Sequence, residues 1–318
     1  RVRGDRSDFL EVWDVETLSP LEEIPLPARR AIDSFALGHA ALSDDERFAA
    51  VFNWTPATSL SIVDVEARQL ASVAPIPGCS LAYAAGDRRF LSLCGDGAAV
   101  TVEIGDDGNV LQTARTQPFF DPAGDPLTEK AVRVGDRWHF VSFAGLLHSI
   151  DVGDAALDFV EPWSLLTDAD REARWQVGGL QHLAAHGATN RLFVLVHPGG
   201  PDEHKEPGTE VWVYDLDENQ RTARIPLRHP GVSLYGEAVD GEGWPWPLGS
   251  LFRWALDAWV PPMVSHIVVT RDAQPLLVTA SQFSGSLGVY DANSGEFLRR
   301  VQPIGWTSDT LYAPFPAR

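Results

Sequence analysis

Lysine is nearly absent from the chain and stands only at Lys130 and Lys205. Lys and Arg together number 25 against 44 Asp and Glu, a formal net charge of −19 over 318 residues. A phosphate-binding surface needs clustered cations. The arginines here are scattered, which excludes nucleic acid as a main partner and speaks against an anionic membrane surface. No stretch approaches the roughly 18–20 uninterrupted apolar residues of a membrane span. Cysteine occurs only at Cys79 and Cys94. Two thiols cannot form an all-Cys zinc site, and their spacing is too wide for a CxxC redox pair. They are either buried free thiols or one disulfide, and a disulfide would imply an oxidising compartment. Helical periodicity is nearly lacking outside 162–174 and 248–259. There is no GxSxG elbow, HExxH, P-loop, EF-hand loop, haem attachment motif or dinucleotide fingerprint. Nothing in the chain assembles an acid–base pair or an activated nucleophile, and no signal peptide is visible.

What the sequence does hold is apolar residues at 44%, enough for a sizeable core, and a repeat. Short β-rich runs end on an acidic turn at 9–16, 59–66, 99–106, 146–153, 210–217 and 286–293. The aligned acids are Asp14, Asp64, Glu103, Asp151, Asp215 and Asp291. Another strand follows each copy, as in Gly295–Val301, and many copies are preceded by a further pair, as at Arg47–Phe52 and Pro275–Thr279. Alternation around a polar turn is a hairpin. A unit of about four strands recurring every ~40–75 residues is the pattern of a β-propeller. The expected fold is all-β, a single seven-bladed propeller domain over residues 1–318. The first copy lacks its two inner strands, so the N-terminal blade strands are expected to be missing from the chain as given.

Several local features invite a functional reading. His197-Pro-Gly-Gly-Pro-Asp-Glu-His204-Lys205 is a polar loop after the apolar strand Leu192–Val196. It reads as loop structure, as a partner-contacting loop or, least well, as a metal site. Trp175-Gln-Val-Gly178-Gly179 follows a short acidic helical stretch, Thr167–Arg174. There glycine permits a close backbone approach at a strand entry. Gly95-Asp-Gly97 reads as a hairpin turn. The 11 tryptophans read mostly as core and blade packing.

Taken together, the motifs resemble the heavy subunit of aromatic amine dehydrogenase and, more distantly, that of methylamine dehydrogenase. The matching stretches are Arg3-Gly-Asp-Arg-Ser-Asp-Phe-Leu-Glu-Val-Trp-Asp14, Thr55–Val65, Gly78-Cys79, Cys94-Gly-Asp-Gly97 and Pro162-Trp-Ser-Leu-Leu166. Trp175-x-x-Gly-Gly179, His197-Pro-x-Gly…His204-Lys205 and Glu210-Val-Trp-Val-Tyr-Asp215 complete them. The Pro162–Leu166 motif and the His-Pro loop favour the aromatic-amine branch. The resemblance implies a periplasmic heterotetramer of two heavy and two light subunits. The light subunit would carry tryptophan tryptophylquinone and the catalytic base. The quinone takes a primary amine as a Schiff base, a carboxylate removes a proton, and electrons pass to a small copper protein. The heavy subunit would support the light one and wall part of the substrate channel. No catalytic, cofactor-binding or metal-ligating residue carries over to this chain.

Residues 229–262 look like an insertion foreign to that family. In it Trp244, Trp246, Trp254 and Trp259 lie within sixteen residues. Pro245 and Pro247 should keep its first part extended. Leu248, Leu251, Phe252, Leu256 and Trp259 then follow helical spacing, Arg253 and Asp257 are spaced to pair, and Pro261 stops the helix. A helix this short must bury its apolar face against something. That something is its own propeller, a partner subunit or second heavy chain or, least well, a membrane surface; the candidate partner contacts along the chain are Trp175, Gly178, Gly179, His197, His204, Lys205, Phe252, Trp254 and Trp259. Cys79 and Cys94 flank one hairpin, Leu81–Ala84 and Arg89–Leu93, whose geometry brings them within reach of a disulfide. Two other readings compete with the subunit: a noncatalytic propeller scaffold for another partner, and a propeller hydrolase with a central metal.

Overall fold

The repeated acid works as turn chemistry. In the computed structural model Asp14 Oδ1 accepts from the backbone N–H of Thr17 at 2.7 Å, and Asp64 Oδ1 from that of Ala67 at 2.8 Å. Asp215 Oδ1 takes the N–H groups of Asp217 and Glu218 at 2.8 and 3.0 Å. Asp291 Oδ1 takes those of Asn293 and Ser294 at 2.9 and 2.7 Å. A short carboxylate that bonds the backbone two or three residues on fixes the hairpin turn locally. Glu103 holds the same register position but is too long for this, and it points to solvent. Its turn is closed by Asp107, which accepts from the Asn109 N–H at 3.0 Å.

The structure describes residues 5–28, 37–153, 156–200, 203–229, 232–234, 237–239, 241, 244–259, 262–282, 284–301 and 310–312, with the backbone alone at 232–239 and 256–259. β1 (Asp8–Asp14) and β2 (Ser19–Leu26) form a two-stranded ladder. Antiparallel meanders follow. They are β3 (Ala40–Leu42), β4 (Phe48–Asn53), β5 (Ser59–Asp64) and β6 (Gln69–Pro75), then β7 (Cys79–Ala84), β8 (Arg89–Cys94), β9 (Ala99–Ile104) and β10 (Val110–Arg115). The next is β11 (Val132–Val134), β12 (Arg137–Val141), β13 (Leu146–Asp151) and β14 (Asp158–Ser164). After α1 (Asp168–Glu172) comes a five-stranded sheet of β15 (Trp175–Val177), β16 (Leu183–His186), β17 (Arg191–Pro198), β18 (Glu210–Asp215) and β19 (Gln220–Pro226). A small ladder, β20 (Val232–Leu234) with β21 (Glu237–Val239), precedes α2 (Leu248–Trp259). The last meander is β22 (His266–Val269), β23 (Leu276–Ser281), β24 (Ser284–Asp291) and β25 (Phe297–Val301). Every repeat copy found in the sequence coincides with one strand of its own sheet.

Contacts group the chain into two compact units, residues 1–129 with 152–158, and residues 130–151 with 159–318. In the first unit Leu10, Val12 and Leu26 of the two-stranded ladder pack with Ile24, Ala49 and Val63. In the second, β17 is buried on both faces. Leu192, Val194 and Val196 enter a cluster with Val141, Leu166 and Trp212, while Phe193 and Leu195 enter another with Val211, Ile267 and Tyr290. Period-two alternation with apolar residues on both sides is why Leu192–Val196 reads as an unbroken apolar run.

Two expectations need correction. Helix over 162–174 is confined to α1, because β14 runs to Ser164 and a capping box sets the start. The Thr167 side chain accepts from the Asp170 N–H at 3.2 Å while the Asp170 carboxylate accepts from the Thr167 N–H at 2.9 Å. Tryptophan is also less internal than its abundance suggests. Trp13, Trp54, Trp244, Trp246 and Trp254 are exposed, whereas Trp212 is fully buried. Among the described residues no helix is long and apolar enough to cross a membrane.

Candidate functional site

Two motifs far apart in sequence meet in one sheet. β15 pairs with the end of β17, placing Gln176 opposite His197 and Val177 opposite Val196. Gly178 thereby lies beside the His197 ring. A methyl group there would sit 2.3 Å from His197 Cδ2 and 2.8 Å from the Glu206 carbonyl oxygen. On the other side of the ring, a methyl at Gly199 would lie 2.6 Å from Cε1. Both glycines are therefore steric requirements of the same imidazole. His197 is buried, with Nδ1 3.2 Å from the Pro198 carbonyl oxygen and Nε2 3.0 Å from that of Glu203. It braces its own loop. Gly179 has positive φ and lies against Leu195 and the Ser265 carbonyl, as a close backbone approach requires.

Further bonds tie the described parts of the loop. The Glu203 carboxylate accepts from the Gly200 N–H at 2.6 Å, and Gly208 exchanges backbone bonds with Val264 at 2.6 and 3.2 Å. His204 stacks on Phe143, ring centroids 3.7 Å apart. Glu203, Lys205 and Glu206 are left facing solvent. Among the described residues no three His, Cys, Asp or Glu side chains gather as metal ligands. Phe143 was invisible to sequence reasoning, because it comes from the turn between β12 and β13.

Trp175 belongs to a packed stack. Its ring lies 5.2 Å from Trp212, with the Arg224 guanidinium 4.8 Å from Trp175 and the Arg221 guanidinium 4.1 Å from Trp212. Arg221 also reaches Asp170 at 2.9 Å. Burial pushes the Asp170 carboxyl upward, but Arg221 and Thr167 outweigh it and hold the group below the usual carboxylate value. A depressed carboxylate contributes stability above its unfolded pKa, and that contribution disappears as pH falls through the folded value. Asp170→Asn should therefore cost about 2 kcal/mol at neutral pH. Chemical denaturation against pH checks this: the variant's deficit should shrink below about pH 4, and a deficit constant down to acid pH would contradict it.

The insertion departs from expectation. Pro245 and Pro247 lead into a turn, with the Leu248 N–H on the Pro245 carbonyl at 2.8 Å. Trp244 stacks on Phe252 at 5.0 Å. Leu248 and Leu251 are each 58% exposed, with Trp246 at 87% and Trp254 at 62%, so the chain itself does not cover these side chains. The side chains of Leu256, Asp257 and Trp259 lie outside the described residues. In the first unit, Cys79 and Cys94 face each other across β7 and β8 and form a disulfide. Arg115 Nη1 lies 3.3 and 3.4 Å from the two sulfurs while Nη2 pairs with Asp96 at 2.6 Å. Trp54, exposed at the turn after β4, is a contact candidate that sequence reasoning passed over.

The family model for the methylamine dehydrogenase heavy chain matches residues 1–237. This chain belongs to that family. The heavy chain of Methylophilus methylotrophus methylamine dehydrogenase is 23% identical over 312 residues, covering 98% of this chain and 68% of that one. The Methylobacillus flagellatus heavy chain is 25% identical, covering 95% and 68%, and the Paracoccus versutus heavy chain 26%, covering 95% and 63%. The chain thus spans about two thirds of these relatives' length. Among solved structures, the WD40 domain of Neurospora crassa Pan2 superimposes with TM-score 0.53 at 10% identity, covering 96% of this chain and 73% of that domain. That likeness establishes the β-propeller fold.

Within this heavy-chain family member, the Trp175–Gly179 segment, the His197–Lys205 loop and the disulfide all fall inside the stretch matched by the family model. α2 lies beyond it. The relatives named here are methylamine dehydrogenase heavy chains.

Proposed function

We propose that this chain is the heavy subunit of a periplasmic amine dehydrogenase and supplies blades of a seven-bladed propeller. The observation that carries the reading is family membership over residues 1–237. Tryptophan tryptophylquinone belongs to the light subunit. When bound there it supplies the oxidising chemistry for a primary amine, and a small copper protein takes the electrons. Neither the Cys79–Cys94 pair nor His197 is open to hold a redox group, since the cysteines are tied to each other and His197 faces two carbonyl oxygens. Its work is support, channel wall and subunit contact. The loop bearing His204 and Lys205 suits a contact with the light subunit, because it is tied down through His197, Glu203 and Gly208 yet exposes Lys205. Trp175, Gly178, Gly179 and His197 act behind it by fixing its shape, while Trp254, with Phe252 beneath Trp244, belongs to a separate surface.

The disulfide supports an oxidising compartment. The charge of −19 favours accumulation of protonated amines near the protein. A preference for aromatic amines is the finer part of the proposal, supported by Pro162-Trp163-Ser-Leu-Leu166, where Trp163 packs edge-on to Tyr214 at 5.8 Å. Purification of the chain from the cells that make it tests the reading. A small cysteine-rich light chain should co-purify, with a mass showing two tryptophans joined and oxidised. The complex should reduce a dye faster with phenethylamine than with methylamine. A reversed order would remove the aromatic preference, and co-purification of an unrelated protein would remove the subunit reading.

A further inference from the structure

Among the described residues, α2 and its leading turn carry an apolar patch for which the proposed light-subunit contact gives no use. It comprises Trp244, Trp246, Leu248, Leu251 and Trp254, exposed by 47, 87, 58, 58 and 62%. Taking roughly 250 Å² for an open tryptophan, the patch amounts to something on the order of 600 Å². That sits at or above the ~300–600 Å² of the largest apolar patch on an ordinary monomer. Its shape is set: Trp244 is stacked on Phe252, Gly249 lies against the Gly241 carbonyl, and the Leu251 N–H is bonded to the Pro247 carbonyl at 3.0 Å.

We infer that this face of α2 with its leading turn is the contact between two copies of the chain. The inference deepens the proposed assembly by assigning its heavy–heavy contact, and that assembly is the reading it rests on. Two observations favour a second copy over other occupants. From Trp244 to Trp254 the one ionisable side chain is Arg253, half-buried, and no acid stands among them, in a chain whose net charge is −19. Two such copies repel almost everywhere except on ground free of acids, and an isologous contact brings the same acid-free patch to both sides. A cationic partner would instead be drawn to the acidic loops, and a membrane surface would find no lysine here. The area also suffices. Two patches face to face bury on the order of 1,200 Å², above the roughly 1,000 Å² expected of a specific interface. Its three exposed tryptophans are the residue type that dominates such contacts.

Sedimentation equilibrium of the purified full chain tests this. A dimer is expected, and it should tighten as salt is raised, because screening removes repulsion between like-charged copies. The double substitution Trp246→Glu with Leu251→Glu should weaken it at least about a hundredfold. Both positions are open to solvent, so the melting temperature should hold, and Trp254→Ser provides a second, milder probe. A chain that stays monomeric in both salts overturns the inference, as does a dimer indifferent to these substitutions. Loss of light-subunit binding with the dimer intact assigns the patch to that partner instead. Loss only of binding to phosphatidylcholine vesicles assigns it to a lipid surface. Mass reads the contact independently of amine oxidation, so failure here leaves the enzymatic reading standing, and an inactive complex leaves the dimer standing.

Discussion

Replacing Cys79 and Cys94 with serine should lower the stability of the unit that holds them by about 3 kcal/mol, the chain-entropy value for a loop of ~15 residues. The two residues are 15 apart and directly opposed in the register of β7 and β8. The native hairpin is held by other bonds as well: Ala85 N–H reaches the Arg89 carbonyl at 2.9 Å and Gly95 N–H the Gly78 carbonyl at 3.0 Å. The crosslink therefore acts mainly by restricting the unfolded chain. Arg115 keeps its Asp96 partner in the variant, so no charge is stranded. The melting temperature should fall by something on the order of 10 °C. Reductant should bring the wild type down to the same value and leave the variant unchanged. Thiol titration of the denatured, unreduced protein should find no free thiol. A variant that melts with the wild type would contradict the account of this hairpin.

Gly178→Ala should be comparably damaging for a steric reason. The added methyl meets the His197 ring on one side while Gly199 already abuts the other, and the ring is buried. Overpacking of this kind costs about 1–3 kcal/mol, and displacing the hydrogen bond that His197 donates adds about 1 kcal/mol. A total near 3 kcal/mol is expected. The more telling readout is coupling. Gly178→Ala combined with His197→Ala should be no less stable than His197→Ala alone, because the clash has lost one partner. Both single variants should also loosen the 199–208 loop and weaken light-subunit binding without changing the spectrum of the light subunit. Additive losses would show that the ring and the glycine do not share one space.

The repeats were legible because their information is local. A short acid that bonds the backbone two or three residues on marks a hairpin in any context, and Asp14, Asp64, Asp215 and Asp291 all do so. The bounds of α2 were legible for the same reason, with prolines just outside both ends. The Cys79–Cys94 pairing followed from hairpin register. What covers a surface is not local. Spacing tells that Leu248 and Leu251 share a helix face, yet it cannot tell that this face meets solvent. It likewise cannot tell that His204 rests on Phe143, or that Gly199 and Gly178 grip one ring from two sides. The abundant tryptophans misled in the same way, because five of them are exposed, which composition does not record.

The central claim is that this chain supports a redox centre held by its partner. The absorption spectrum above 300 nm tests it most directly, recorded for the complex and for the heavy chain after separation. The account predicts a band in the complex that bleaches on addition of a primary amine, and a separated heavy chain that is colourless and inert to amine. A quinone-like band in the separated heavy chain, or a complex whose spectrum ignores amine, would contradict it.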